Sequence, residues 1–307
     1  MRMLIVGAGS TGGFFGGRLA QAGRDVTFLV RSRRAAQLRE RGLEIVSPQH
    51  GNTTVRPRLV TAAELQEAFD AVLLTVKAFA LDAALEDMAP AVGAGTMILP
   101  VLNGMMHLDA LAARFGRQAI LGGAAIVATA IDREGRVIQL APFQDIAYGE
   151  LDGSRSPRIA DLDRFMRGAG FDARLSPDIM QEMWDKWALL ATLGGVTCLM
   201  RGNVGEIGAA PGGPEFLSRF LEEVIGVINA VGKRVSDATI VQARAALATK
   251  GSSLTSSMYR DLEQNLPVEA EQIIGDLLAR GRAAGVATPL IAAAHTHLGV
   301  YQARLTR

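Results

Sequence analysis

The chain begins with the pattern that most constrains how it can fold. The apolar residues Met3 to Val6 lead into Gly7-Ala8-Gly9-Ser10-Thr11-Gly12-Gly13, and an amphipathic segment rich in alanine, leucine and further glycines follows. That is a strand, a tight turn and a helix. The turn spells G-x-G-x-x-G, in which Gly7 permits the sharp bend, Gly9 lets the backbone approach a pyrophosphate, and Gly12 lets helix and strand pack closely. An anion is favoured there by the unpaired N–H groups and the dipole of the helix N-terminus. Glycine-rich turns are common, but here the strand before and the helix after supply the context that the motif requires. Residues Gly7, Ala8, Gly9, Ser10, Thr11 and Gly12 are therefore expected to bind a dinucleotide.

With 307 residues the chain is long enough for two domains of ordinary size. Its 32 basic and 31 acidic residues give a net charge of +1, so no bulk field draws it to nucleic acid or to anionic lipid. The one cysteine, Cys198, cannot form an internal disulfide and reads as a small buried hydrophobe, which suits a reducing compartment. The apolar run at Met3 to Val6 is shorter than a signal-peptide core, and the apolar stretches 120–131 and 188–200 are too short to span a bilayer. A cytoplasmic location, without membrane or nucleic-acid partners, is expected.

The first helix is expected to end before Gly23, and a second strand should span residues 25–30. The residue that closes this strand selects the cofactor: a carboxylate accepts from the ribose 2′-OH of NAD, whereas a basic group accommodates the 2′-phosphate of NADP. Here the sequence is Val30-Arg31-Ser32-Arg33-Arg34. A guanidinium pairs bidentately with phosphate, so Arg31 points to NADP; the bland alternative is a solvated helix start.

Short β-like runs around Ile45 and Val55, separated by Ser47-Pro48-Gln49-His50-Gly51-Asn52, predict a hairpin insertion. Apolar runs at 71–76 and 96–102 predict parallel strands buried on both faces. They end at Lys77 and at Asn103-Gly104. Ligands collect beyond the carboxyl ends of such strands, which places Lys77 and Asn103 to meet cofactor or substrate. Position alone is met equally by a surface lysine and an Asn-Gly turn. Further strands are expected at 119–129, 137–140, 145–148 and 172–175, with a helix at 159–169. After Ser176-Pro177 only helical periodicity remains, with that pair as N-cap and first helical residue. The expected division is 1–176 for a nucleotide-binding domain and 177–307 for a helical substrate domain.

On the helix after Ser176, Met183, Lys186, Leu189 and Leu190 share one face. A desolvated lysine in an apolar stripe has a lowered pKa, and a donor with a pKa near ambient pH can protonate the alkoxide formed when hydride adds to a carbonyl. The alternative is a lysine snorkelling from the edge of a core. Glu269, expected in a helix after Pro267 and aligned with Ile273 and Leu277, can orient such a lysine or hold a hydroxyl; acids in a first turn are also simply favoured by the dipole. Ser256 and Ser257 are candidate donors or caps. His295 and His297 are two apart and face different ways, so they make no metal pair, and no other spacing suggests a metal.

This ordered set resembles the ketopantoate reductase (2-dehydropantoate 2-reductase) family over essentially the whole chain. The resemblance rests on Gly7 to Gly12, Arg31, Val76-Lys77, Asn103-Gly104, Trp184-Asp185-Lys186, and Ser256-Ser257-Met258-Tyr259-Arg260-Asp261 followed by Glu269. It implies an α/β fold: a doubly wound Rossmann-type N-terminal domain and an all-α C-terminal domain like that of 6-phosphogluconate dehydrogenase. It also implies NADPH-dependent reduction of a 2-oxo acid between them, with ketopantoate and pantothenate biosynthesis as the family's case. Lys186 is then the general acid, Glu269 holds substrate and cofactor, Ser257 contacts substrate, and Asn103 bridges cofactor and substrate.

Members that reduce ketopantoate carry asparagines one and two turns after the lysine, where this chain has Leu190 and Gly194. A different small 2-oxo or hydroxy acid is therefore an alternative substrate, and a non-catalytic NADP-binding regulator is an alternative from another class. Apolar helix faces serve a core or a homodimer equally.

Overall fold

The computed structural model describes residues 1–48 and 50–305; Gln49, in the expected hairpin turn, lies outside the described residues. Contacts divide the chain into two compact units, Met1–Leu102 with His107–Ile179, and Asn103–Met106 with Met180–Arg307.

The first unit runs β1 (Met3–Val6), α1 (Ser10–Gln21), β2 (Val26–Leu29), α2 (Ser32–Arg41), β3 (Leu43–Val46), β4 (Thr53–Val55), β5 (Arg58–Val60), β6 (Ala71–Leu74), α3 (Leu81–Met88), β7 (Met97–Pro100), α4 (Met106–Phe115), β8 (Leu121–Ile131), β9 (Val137–Glu150), α5 (Pro157–Met166) and β10 (Asp172–Leu175). Five strands form a parallel sheet in the order β5-β2-β1-β6-β7. Successive side chains of a strand point to opposite faces, so a sheet covered on both sides needs apolar residues at every position. Met3 and Ile5 of β1 accordingly enter one core with Phe14, Phe15 and Leu38 of α1 and α2, whereas Leu4 and Val6 enter another with Leu85 and Met88 of α3 and Leu111 of α4. This is the doubly wound α/β arrangement. The strand order turns back beside β1, so the ends of β1 and β6 flank the switch point where such sheets bind ligands.

A second sheet has the order β10-β9-β3-β4, with β8 antiparallel to β9. The expected hairpin is β3 paired antiparallel with β4. Two strand expectations need correction. The runs at 137–140 and 145–148 are one strand, β9, continuous through Pro142 and the exposed Phe143. The edge strand β5 went unrecognised because its residues are exposed or half-buried and form no apolar run.

The second unit is helical: α6 (Ile179–Met200), α7 (Val204–Ala209), α8 (Gly213–Val231), α9 (Asp237–Ala248), α10 (Ser257–Glu263), a single π turn (Glu271–Gly275), α11 (Asp276–Ala283) and α12 (Pro289–Leu305). Helix α8 contacts α7, α9, α11 and α12. Close approach is bought with glycine: a Cβ on Gly195 of α6 would lie 2.1 Å from the ring of Phe220 on α8. Among the described residues no helix is long and apolar enough to cross a membrane.

The division near Ser176 differs in detail from the compact units. Ser176 still belongs to the strand layer, its N–H donating to Tyr148 O at 2.8 Å, and its Oγ accepts from Asp178 N at 3.2 Å, so α6 starts only at Ile179. Ile179 itself packs where Gly122 and Gly149 leave room, since a Cβ at Gly122 would come within 2.6 Å of it.

Candidate active site

Each glycine of the first turn has a separate reason to be there. Gly7 has φ +96°, a conformation that L side chains resist. A Cβ on Gly12 would lie 2.1 Å from Gly7 O and 2.2 Å from Thr75 Oγ1, so helix and strand could not close around any other residue. Gly9 is different: nothing lies within 4 Å of its Cβ position. Its open side is the space that a pyrophosphate approaching the backbone needs, so the turn fits a bound dinucleotide. Thr75, which carried no signal in the sequence, locks the turn by donating from Oγ1 to Val6 O at 2.9 Å.

The three arginines after β2 take different roles. Arg31 is the N-cap residue of α2 and is exposed, as is Arg33. Arg34 is committed to the fold: its Nε donates to Ala8 O at 3.2 Å, and its Nη1 to Gln37 Oε1 at 2.6 Å and Gly135 O at 2.9 Å. It braces α2 against the glycine turn, and burial lowers its pKa. Lys77 is exposed just beyond β6, on the same sheet edge as the turn.

The second unit assembles its own cluster around Lys186. Lys186 is half-buried as a residue, and desolvation lowers its pKa to about 8 against an opposing upward pull from the Glu269 carboxylate. Glu269 Oε2 accepts from Asn103 Nδ2 at 3.2 Å, across 166 residues of sequence. The Asn103-Gly104 loop reaches this place because Gly104 has φ +73° and no Cβ; one would sit 2.4 Å from Gln272 O. Lysine, carboxylate and amide therefore gather in one unit, with the carboxylate favouring the charged form of the lysine.

Glu269 is not inside a helix, as its spacing suggests, but just ahead of one. The Val268 backbone is paired with the Gln302 side chain, N–H to Oε1 and O from Nε2, both at 3.2 Å, which keeps it out of helical bonding. The first helical bond is Ile273 N to Glu269 O at 3.1 Å. Trp187, beside Lys186 on α6, donates from Nε1 to Ile273 O in the π turn at 3.0 Å; its role was not legible in the sequence.

Ser256 is a cap rather than a free donor: its Oγ accepts from Tyr259 N at 2.9 Å and lies 3.0 Å from Thr197 Oγ1. Ser257 is exposed at the start of α10, and its neighbour Met258 turns inward toward Gly194. Cys198 is buried, which pushes its thiol up to about 12 and leaves it unreactive. Among the described residues no group of histidine, cysteine and carboxylates is arranged to hold a metal.

Comparison with known proteins agrees with this layout. The model described as "Ketopantoate reductase PanE/ApbA" matches residues 3–153, and its "C terminal" counterpart matches residues 178–302. The "uncharacterized oxidoreductase YkpB" of Bacillus subtilis is 31% identical over 99% of both chains. The crystal structure of a 2-dehydropantoate 2-reductase from Geobacter metallireducens is 30% identical with a TM-score of 0.87, covering 98% of this chain and 99% of that one. The structure of a D-mandelate dehydrogenase with NADH and anilino(oxo)acetate shares the fold, with a TM-score of 0.87 at 22% identity over 100% of each chain. The chain belongs to the ketopantoate reductase family, oxidoreductases that work with a nicotinamide cofactor.

Proposed function

We propose that this protein reduces a 2-oxo acid to the 2-hydroxy acid at the expense of NADPH, with Lys186 as the proton donor. The observation that carries the reading is the placement of Lys186 in a desolvated position with Glu269 acting on it and Asn103 bonded to Glu269. Gly7 to Gly12 would hold the pyrophosphate, and Arg31 the 2′-phosphate that distinguishes NADPH from NADH. When bound, the dihydronicotinamide supplies hydride. The chain's own contribution is acid catalysis and positioning. Lys186 Nζ delivers a proton to the keto oxygen as negative charge develops there, and its lowered pKa brings donor strength close to ambient pH. Glu269 stabilises the charged ammonium between turnovers and, with Asn103, is proposed to hold substrate and cofactor. Lys77 and Ser257 are proposed as further cofactor and substrate contacts.

The relatives' names put 2-dehydropantoate first among candidate acids, the reaction that supplies pantoate for pantothenate. A regulator that binds NADP without turnover is the weaker reading. A desolvated lysine paired with a carboxylate has no use in a nucleotide sensor, and its burial costs stability.

The decisive experiment follows NADPH absorbance with a panel of 2-oxo acids for the native chain and for Lys186→Ala. The variant is expected to lose about 10²–10⁴ in turnover while binding NADPH nearly as before. Turnover equal to the native enzyme removes Lys186 from the mechanism, and tight NADPH binding with no oxidation across the panel favours the sensor.

A further inference from the structure

The face of α6 that carries Lys186 turns to carbon immediately beyond it. Leu190 and Gly194 follow one and two turns on, with Leu189 and Leu193 beside them. Leu189, Leu190 and Leu193 all stay partly exposed, whereas Met183, Trp184, Trp187, Val196 and Cys198 of the same helix are buried. An open strip of three leucines thus starts at the proton donor.

The strip itself is built of carbon, and the group that meets it at Gly194 is apolar too. A Cβ at Gly194 would meet only the Met258 methyl, at 2.8 Å. Every nearby hydroxyl whose bonds are in view is spent on the fold: Thr192 Oγ1 donates to Ala188 O at 2.8 Å, Thr197 Oγ1 to Leu193 O at 2.6 Å, and Ser256 caps α10. A substrate hydroxyl laid against these leucines would trade water for carbon, whereas an alkyl or aryl group would lose no hydrogen bond.

We infer that this strip sets specificity: the preferred substrate is a 2-oxo acid whose substituent is a bare branched-alkyl or aryl group, with Leu190 and Gly194 as the specificity-determining residues. The inference rests on Lys186 being the donor. In the reaction the hydride adds to the keto carbon, the π pair moves to oxygen, and oxygen takes the Lys186 proton. A bound dihydronicotinamide would supply the hydride and be left as the nicotinamide cation, and the neutral Lys186 amine regains its proton from water.

Trimethylpyruvate and 2-dehydropantoate differ by one hydroxyl and make the direct test, with phenylglyoxylate as the aryl probe. With the full chain and NADPH, kcat/KM for trimethylpyruvate should exceed that for 2-dehydropantoate by about tenfold to a hundredfold, the range expected when a hydroxyl is buried unpaired. Leu190→Asn and Gly194→Asn should each move the ratio toward 2-dehydropantoate. The second is tolerable because its Cβ meets only the end of a flexible side chain. Calorimetric titration in the presence of NADP⁺ gives an independent readout: the hydroxy acid from trimethylpyruvate should bind more tightly than pantoate.

Equal or reversed kcat/KM values overturn the inference while leaving the reductase reading in place. So does a ratio unmoved by Leu190→Asn, including the case in which that variant changes the oligomeric mass and marks the strip as a subunit interface. Absence of turnover with every acid defeats the reductase reading instead, and the titration then decides whether the strip prefers the apolar ligand.

Discussion

Two opposing forces set the proton affinity of Lys186. Burial lowers it and Glu269 pulls it upward, the balance falling at about 8. With Lys186 as the proposed donor, reduction needs the ammonium, so kcat for reduction should be level below about pH 8 and fall above it; oxidation of the hydroxy acid needs the neutral amine and should rise through the same pH. Glu269→Gln removes the upward pull, so both limbs should move to lower pH. Limbs that stay in place would show that the titrating group is not Lys186. Stability has a matching sign. The folded value of about 8 lies below the free-lysine value of 10.5, so between them the unfolded chain binds more protons and the lysine's contribution to stability rises with pH. Lys186→Met should abolish that slope in denaturant titrations. Arg31, the proposed phosphate contact, and Arg34, a brace within the fold, should respond differently to substitution. Arg31→Ala should cut the preference for NADPH over NADH by about tenfold or more, since a charged hydrogen bond to phosphate is worth roughly 1.5–3 kcal/mol. A native enzyme that already prefers NADH would contradict this. Arg34→Ala should instead lower stability and weaken both cofactors, because Arg34 holds Ala8 rather than reaching a ligand.

Among the elements, the π turn Glu271–Gly275 connects the proposed catalytic pair. It begins two residues after Glu269, and its Ile273 carbonyl accepts from Trp187, the neighbour of Lys186 on α6. We propose Trp187 as a positioning residue: its hydrogen bond ties the π turn that follows Glu269 to the helix that carries Lys186. Trp187→Phe keeps an aromatic ring but removes the N–H donor. Its kcat should fall several-fold, and the basic limb of the pH profile should move to lower pH as Glu269 relaxes away. A merely structural role would lower the melting temperature without moving that limb. None of this was legible in the sequence. A π turn is a register of backbone bonds rather than a choice of residue types, and the partner of an indole N–H 86 residues away leaves no spacing to read. The buried strands β1, β6 and β7 were legible because burial on both faces demands unbroken apolar runs. The edge strand β5, half in water, demands none. Lys186 stood out as a charge in an apolar stripe. Glu269 was found with the wrong local structure, because the bonds that keep Val268 out of the helix come from Gln302 on α12.

At the scale of the molecule, the chain forms two compact units, and the proposed division of work puts cofactor capture in the first and proton donation in the second. The Asn103–Met106 segment alone departs from chain order, grouping with the helical unit through Glu269 and Gln272. That exception was illegible because an Asn-Gly dipeptide reads as a local turn until its partners are known. Each unit has its own buried core, so a ligand held by the first should stabilise the first. Binding only to the native state adds about 2.7 kcal/mol at a ligand concentration a hundred times Kd. NADPH at that excess should raise the melting transition of the native chain and slow amide exchange in β1, the glycine turn and the start of α2. Gly12→Val should abolish both effects, because its side chain would strike Gly7 O and Thr75 and the turn could not form. Lys186→Ala should leave both effects intact, because it removes the donor and not the cradle. Exchange protection confined to α6 and the π turn would instead assign nucleotide binding to the helical unit and overturn the division of roles.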